Sequence, residues 1–238
     1  MILAIHQPNY LPWMGFFFKL YLSDYFLFLD DVPFSRKSYT KRTNIKRGLN
    51  DPLEKKLSVA VVRVSRETVI QEIEVSPDFN VSTHQNQLYE SYHREPYFDS
   101  FYPILHNWLE KFHHEVNLSS INIYLIKNIA DMLGVTCQYE RTSNIDCPNT
   151  GKGQYVRELI LRMRPEYYIS GQGARVFQED ELRDISCVTV YQNILDFYRR
   201  TFEKQYFDPS RSIVESLFRV GPDQILELFS LYRNHLGI

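Results

Sequence analysis

His6, Gln7 and Asn9 directly follow the apolar run Ile2-Leu3-Ala4-Ile5, on a strand-to-helix turn stiffened by Pro8 and Pro12. A helix N-terminus offers unpaired N–H groups and a partial positive charge, which together hold phosphate, and a histidine beside it can donate to a phosphate oxygen. Tyr10 belongs to the same turn. The bland alternative is a capping Asn9 and a satisfied, buried His6. Asp30 and Asp31 close a second apolar run, Tyr25-Phe26-Leu27-Phe28-Leu29. One carboxylate of such a pair binds a sugar hydroxyl, a metal or an amine while the other caps a turn, because adjacent residues of an extended chain point opposite ways.

The next segment, 35–47, carries Arg36, Lys37, Lys41, Arg42, Lys46 and Arg47 and no acid. Arginine holds phosphate bidentately and lysine as a point charge. Ser35, Arg42, Asn44 and Lys46 are therefore candidate ligands for a phosphorylated molecule, or for the acceptor end of a tRNA. The alternative is a solvated loop. Gly151-Lys152-Gly153 opens an expected helix without the spacing of a Walker loop, and it offers Lys152 to a phosphate. Ser170-Gly171-Gln172-Gly173 lets the backbone approach a ligand closely. His113, His114 and Glu115 are neighbours on a helix and do not face one another, so no metal site is expected. No serine or cysteine carries a nucleophile motif.

The elements that must position these residues alternate. Ile2–Ile5 and Tyr25–Leu29 read as strands buried on both faces, with a helix between them in which Met14, Phe17, Phe18 and Tyr21 recur at helical spacing. Val135–Tyr139, Tyr167–Ser170 and Ser186–Tyr191 read as further strands, and Tyr155–Met163 as a helix. Five strands alternating with helices predict an α/β, doubly wound, mainly parallel (Rossmann-like) sheet. Its ligand then sits at the carboxyl ends of the strands, near the point where strand order reverses. Leu57–Val64 and Val69–Val75 are expected to form a hairpin around Ser65-Arg66-Glu67. Helices are expected over Gln85–His93, Phe101–Phe112 and Ile121–Leu133, and two more over Ser212–Arg219 and Pro222–His235. The chain thus reads as one domain over 1–238, with 50–120 as an inserted hairpin and helices and 205–238 as a helical extension.

Length and composition agree with a globular protein. The 238 residues suit one large domain, and 44% hydrophobic with 15% aromatic residues excludes intrinsic disorder. With 27 basic against 29 acidic side chains the net charge is −2, which argues against a general nucleic-acid coat. The three cysteines are odd in number and form no CxxC, as suits a reducing compartment. The start of the chain lacks the basic leader of a signal peptide, and no uncharged run reads as a membrane span. A cytoplasmic protein is expected. An exposed stripe among the many aromatic residues would support a homodimer.

The stretch Ala4-Ile5-His6-Gln7-Pro8-Asn9-Tyr10-Leu11-Pro12-Trp13-Met14-Gly15 resembles the N-terminal signature of the WbqC-like family. The likeness continues through 28–35, 42–46, 168–171 and 212–222, and so covers essentially the whole chain. Pro33 stands where many members carry glutamine after Asp-Asp-Val. The family occurs in bacterial gene clusters for O-antigen and other surface polysaccharides, so the resemblance implies an enzyme of that biosynthesis. A weaker likeness, at the level of the fold, is to the nucleotidylyltransferase and pantothenate-synthetase group, whose HxGH turn contacts ATP phosphates. Here His6 matches the first histidine, Asn9 stands at the second and Pro8 replaces the glycine.

Together these likenesses imply acylation, or aminoacylation, of the amine of a nucleotide-linked amino sugar. The donor would be formed with ATP and Mg2+ or carried by an aminoacyl-tRNA. His6, Asp30 and Asp31 are the expected catalytic residues. Gln7, Asn9, Tyr10, Ser35, Arg42, Asn44, Lys46, Lys152, Ser170, Gly171 and Gly173 are expected to bind substrate. The rival readings are nucleotidylyl transfer to a sugar phosphate, and a non-catalytic binding or assembly protein of the same pathway.

Overall fold

The computed structural model of the chain describes residues 1–149, 151–202 and 206–238. In chain order the elements begin with strand β1 (Ile2–His6), helix α1 (Met14–Leu22) and strand β2 (Tyr25–Phe28). A hairpin of β3 (Arg42–Gly48) and β4 (Asp51–Ser58) follows, and then helices α2 (Val81–Tyr92), α3 (Phe98–Leu109) and α4 (Leu118–Met132). The second half holds β5 (Gln138–Arg141), α5 (Lys152–Met163), β6 (Tyr167–Gly171), α6 (Gln172–Gln178), β7 (Val188–Gln192), α7 (Ile194–Thr201) and α8 (Ile213–Leu236).

Five strands form one sheet in the order β5-β2-β1-β6-β7, every pair parallel. The chain winds outward from β1 to β2 and β5, then returns to the other side of β1 for β6 and β7. Strand order therefore reverses between β1 and β6, where an α/β sheet opens its ligand crevice. The apolar runs of β1 and β2 follow from burial on both faces. Ala4, Phe26, Phe28 and Ile169 join a core built with α1, α4 and α8. Leu3, Ile5, Leu27 and Tyr168 join a smaller core against α5. Helices on both faces make the fold α/β and doubly wound.

The crevice has a local cause. The β1–β2 ladder runs to His6, whereas the β1–β6 ladder ends at Ala4. The next carbonyl of β1, that of Ile5, is taken instead by the ammonium of Lys19, at 3.0 Å. The two strands therefore part at their tips.

The antiparallel hairpin lies elsewhere than the residue pattern of 57–75 predicts. It pairs Arg42–Gly48 with Asp51–Ser58, and the segment after it makes isolated bridges, Val61 with Val75, Pro33 with Val69 and Glu74 with Asn117. The reason is the alternation of β3. Thr43 and Ile45 are buried between the outward Arg42 and Asn44, a half-buried strand that reads, residue by residue, as a charged loop. The two helices expected at the C-terminus are both present: α8 consists of two helical halves that part at Gly221, whose φ of 75° and ψ of 174° are not helical, ahead of Pro222. Among the described residues no helix is long and apolar enough to cross a membrane.

Candidate active site at the sheet's switch point

Two clefts flank the parted tips of β1 and β6. The larger, about 860 Å3, is lined by Gln7, Asp31, Asn149, Gly151 and Gln178 among polar or backbone groups, with Leu29, Val32 and Val156 as apolar wall. The smaller, about 270 Å3, is bounded by Trp13, Tyr39, Gly171, Gln172, Gly173 and Gln192. The first turn of α6 separates them: Gly173 faces the smaller cleft and Ala174 the larger.

The two aspartates diverge, as neighbours on an extended chain must. Asp30 is fully buried and accepts from the Ser143 amide (3.1 Å) and hydroxyl (3.2 Å), with Arg141 3.6 Å away. Burial pushes its carboxyl above the usual range against those bonds. It holds the turn after β5. Asp31 instead opens on the larger cleft. Its Oδ1 accepts from Thr142 at 2.5 Å and its Oδ2 from the phenol of Tyr155. Burial is the main cause, and the bond to Asp31 the next, that pushes the Tyr155 phenol far above its ordinary value, so Tyr155 remains the donor. Both oxygens of Asp31 are thereby fixed in one orientation. Asn149 donates to the Asp31 carbonyl (3.1 Å) and accepts from the Gly151 amide (3.2 Å), and so ties the β2 tip to the start of α5. Gly151, at φ 114°, occupies backbone space that favours glycine. The Lys152 side chain lies outside the described residues.

Gln7 projects into the larger cleft, while His6 lies on the α1 side, its ring edge-on to Trp13 (5.6 Å) and Phe16 (5.0 Å). Burial, with the nearby Lys19 charge, lowers its pKa to about 3. His6 is therefore neutral. Its Nδ1 donates to the Gln7 carbonyl at 3.0 Å, which leaves Nε2 an acceptor. Burial also lowers the pKa of Lys19 to about 7.

The rest of the first turn is held by the body of the protein. Tyr10 is buried and bonded to Nδ1 of His84 at 2.9 Å, away from both clefts. Leu11 adopts φ 40°, a strained conformation for a branched residue. Its carbonyl is clamped by the hydroxyls of Thr43 (2.9 Å) and Ser212 (2.8 Å). Asn122 bridges the carbonyls of Pro8 (2.9 Å) and Thr40 (2.7 Å). These bonds fix Trp13 and Tyr39 at the smaller cleft. Asn9 is buried, and its amide makes no hydrogen bond among the described residues.

The structure does not gather the basic segment into either cleft. Lys46 is buried and pairs with Glu95 at 3.5 Å, Asn44 donates to Glu54 at 3.2 Å, and Ser35 is exposed. Arg42 stands behind a cleft wall, its guanidinium 5.8 Å from the Tyr39 ring centroid. Ser170 is buried and donates to Gln178 at 2.8 Å, which places that amide in the larger cleft. Gly171 and Gly173 line the smaller one, and a Cβ on either would meet nothing within 4 Å. Thr142, Tyr155, Lys19, Gln178 and Gln192 complete the site without any motif of their own, and Trp13 does so from within the N-terminal signature. The positions of Thr142, just past the β5 tip, and of Gln192, at the end of β7, could have pointed to them.

The sequence profile of the WbqC-like protein family matches residues 7–227, from the first turn into α8. The chain belongs to the WbqC-like protein family. The chain is also 27% identical over 229 residues to the uncharacterized protein Rv1507c of Mycobacterium tuberculosis, an alignment that spans 92% of this chain and 94% of that protein. No solved structure matches. The residues of this WbqC-like chain that surround the switch point, from Gln7 to Ser210, lie within the matched span.

Proposed function

We propose that this WbqC-like protein is an enzyme of bacterial surface-polysaccharide biosynthesis that acylates the amine of a nucleotide-linked amino sugar. The observation that carries the reading is Asp31, a carboxylate aimed into an 860 Å3 cleft with both oxygens oriented by Thr142 and Tyr155. A cleft of this size suits a nucleotide-sized ligand, since small-molecule sites span roughly 300–1,000 Å3. An amino sugar arrives as an ammonium ion, which a fixed carboxylate binds. The ammonium first gives one proton to solvent; the amine's lone pair then bonds to the acyl carbon, Asp31 takes the second N–H proton, and the C–O bond to the leaving group breaks with its electron pair on that oxygen, which departs as AMP or, taking up a proton, as the tRNA ribose hydroxyl. His6, neutral and edge-on to Trp13, acts as a positioning residue behind the clefts, and Asp30 acts through the Arg141–Ser143 turn.

The donor is an acyl-adenylate made with ATP and Mg2+, or an aminoacyl-tRNA. The first turn of α5 lines the larger cleft at Gly153, where the partial positive charge of a helix N-terminus favours the donor's phosphates.

The test is amide formation, followed by mass spectrometry, from a panel of dTDP- and UDP-linked amino sugars with ATP and carboxylates or with charged tRNA. Asp31→Asn is expected to lower turnover on the order of 100-fold or more with little change in Tm. Pyrophosphate release without amide would replace this reading by nucleotidylyl transfer. Loss of activity on ribonuclease treatment would assign the donor to tRNA.

A further inference from the structure

We propose that the smaller cleft is a compartment for the hydroxyl-bearing ring of the ligand's sugar, whose charged substituents, the amine and the nucleotide diphosphate, reach past the first turn of α6 into the larger cleft. The proposal deepens the nucleotide-sugar reading above and rests on it.

Four observations carry it. The phenol of Tyr39 aside, none of the residues around the smaller cleft is ionisable, so nothing lining it compensates a phosphate. A ring without charge needs no such partner. At about 270 Å3 the cleft lies just below the range of roughly 300–1,000 Å3 typical of small-molecule sites, which is room for one ring and not for a whole nucleotide sugar.

Its walls also have the right chemistry. Trp13 and Tyr39 meet at 5.6 Å with their planes 56° apart, an aromatic corner and not a parallel slot. Such a corner covers the apolar face of a sugar ring better than it sandwiches a flat base. Gln192 is already committed at both ends, to the Gly15 carbonyl (3.2 Å) and the Ile194 amide (3.0 Å). Gln172 donates to the Tyr191 carbonyl, which leaves its Oε1 as an acceptor, and Asn193 accepts from the Asp196 amide, which leaves its Nδ2 as a donor. With the indole N–H of Trp13 and the Tyr39 hydroxyl, the cleft presents both donors and acceptors, as hydroxyl groups require.

The glycines decide the direction of the ligand. Gly171 and Gly173 are not in the left-handed region, and a Cβ on either would enter open space at the cleft. Neither backbone conformation nor packing within the fold demands glycine there. Gly173 stands inside α6, where alanine is the better helix former. What the missing Cβ atoms leave is a bare backbone lip over which a ligand can run from one cleft to the other.

The experiment measures binding by calorimetry for UDP-glucose, dTDP-glucose and GDP-mannose, each beside its free nucleoside diphosphate, with saturation-transfer NMR on free glucose and N-acetylglucosamine. The proteins are wild type, Gly173→Ala and Trp13→Leu. Gly173→Ala is expected to unfold at or slightly above the wild-type temperature, yet to weaken the nucleotide sugar at least tenfold and the free diphosphate less than twofold. Trp13→Leu should do the same to binding, and both should lose saturation transfer to the free sugars. Equal weakening of sugar nucleotide and diphosphate, or no weakening in Gly173→Ala, overturns the proposal. If no nucleotide sugar binds but free sugars show transfer that both variants abolish, the compartment stands and the nucleotide-sugar reading falls. If neither class binds wild type, the compartment is refuted.

Discussion

The phenol of Tyr155 donates to Oδ2 of Asp31 across the gap between α5 and the tip of β2, while Thr142 holds Oδ1 from the tip of β5. One carboxylate is thus oriented by two different elements on one face of the sheet. Its partner Asp30 is bound by Ser143, the residue after Thr142, so a single turn sets both aspartates.

Tyr155→Phe tests what that orientation contributes. The variant keeps the ring, which is buried in the smaller core, and removes the donor. Stability should fall by about 1 kcal/mol, the ordinary net value of one hydrogen bond. Turnover should fall about tenfold with KM nearly unchanged, as expected when a transition-state contact is lost and uniform binding is kept. Steady-state kinetics of amide formation beside urea unfolding measures both; a raised KM with unchanged kcat would show that Tyr155 binds substrate and does not position Asp31.

How much of this was legible from residues depends on period and place. The runs 2–5, 25–29 and 167–170 announced strands because burial on both faces leaves no polar positions, and the switch-point rule then pointed at their tips. The hairpin at 42–58 was hidden because Arg42 and Asn44 face outward and Lys46, though buried against Glu95, continues the same alternation, so that the stretch reads as a charge run. Tyr10 and Lys46 look like ligands in a motif, yet their polar ends belong to His84 and Glu95. Tyr155 and Trp13 look like core, and their roles exist only because α5 brings the Tyr155 phenol to Asp31 and the first turn brings Trp13 to a cleft wall. Such convergence comes from tertiary structure and leaves no spacing in the chain.

Gly221→Ala contrasts with the alanine substitution at Gly173. At Gly221 φ is 75° and a Cβ would lie 2.6 Å from the Tyr97 ring. Backbone strain and overpacking, each costing roughly 1–3 kcal/mol, should together lower stability by about 3 kcal/mol. Adding Tyr97→Ala should return part of the loss, because it removes the clash but not the strain. Urea unfolding of the two single variants and the double variant measures this; a Gly221→Ala protein as stable as wild type would refute the kink geometry.

Lys19 gives the fold a pH dependence whose sign follows from burial. Its ammonium sits under the β1 tip with the Ile5 carbonyl as hydrogen-bond partner, and desolvation lowers its pKa from 10.5 to about 7. Between those values the unfolded chain binds a proton that the folded chain has released, so stability rises with pH across that window and the contribution is lost as pH falls towards 7. From pH 7 to pH 9 the gain should be about 2 kcal/mol. Lys19→Met retains the apolar stem and abolishes the titration, so its stability should be flat across the same interval apart from what other groups contribute to both proteins. Guanidinium unfolding of the pair at half-unit steps of pH reads the difference directly, and parallel curves would show that Lys19 stays protonated in the folded state.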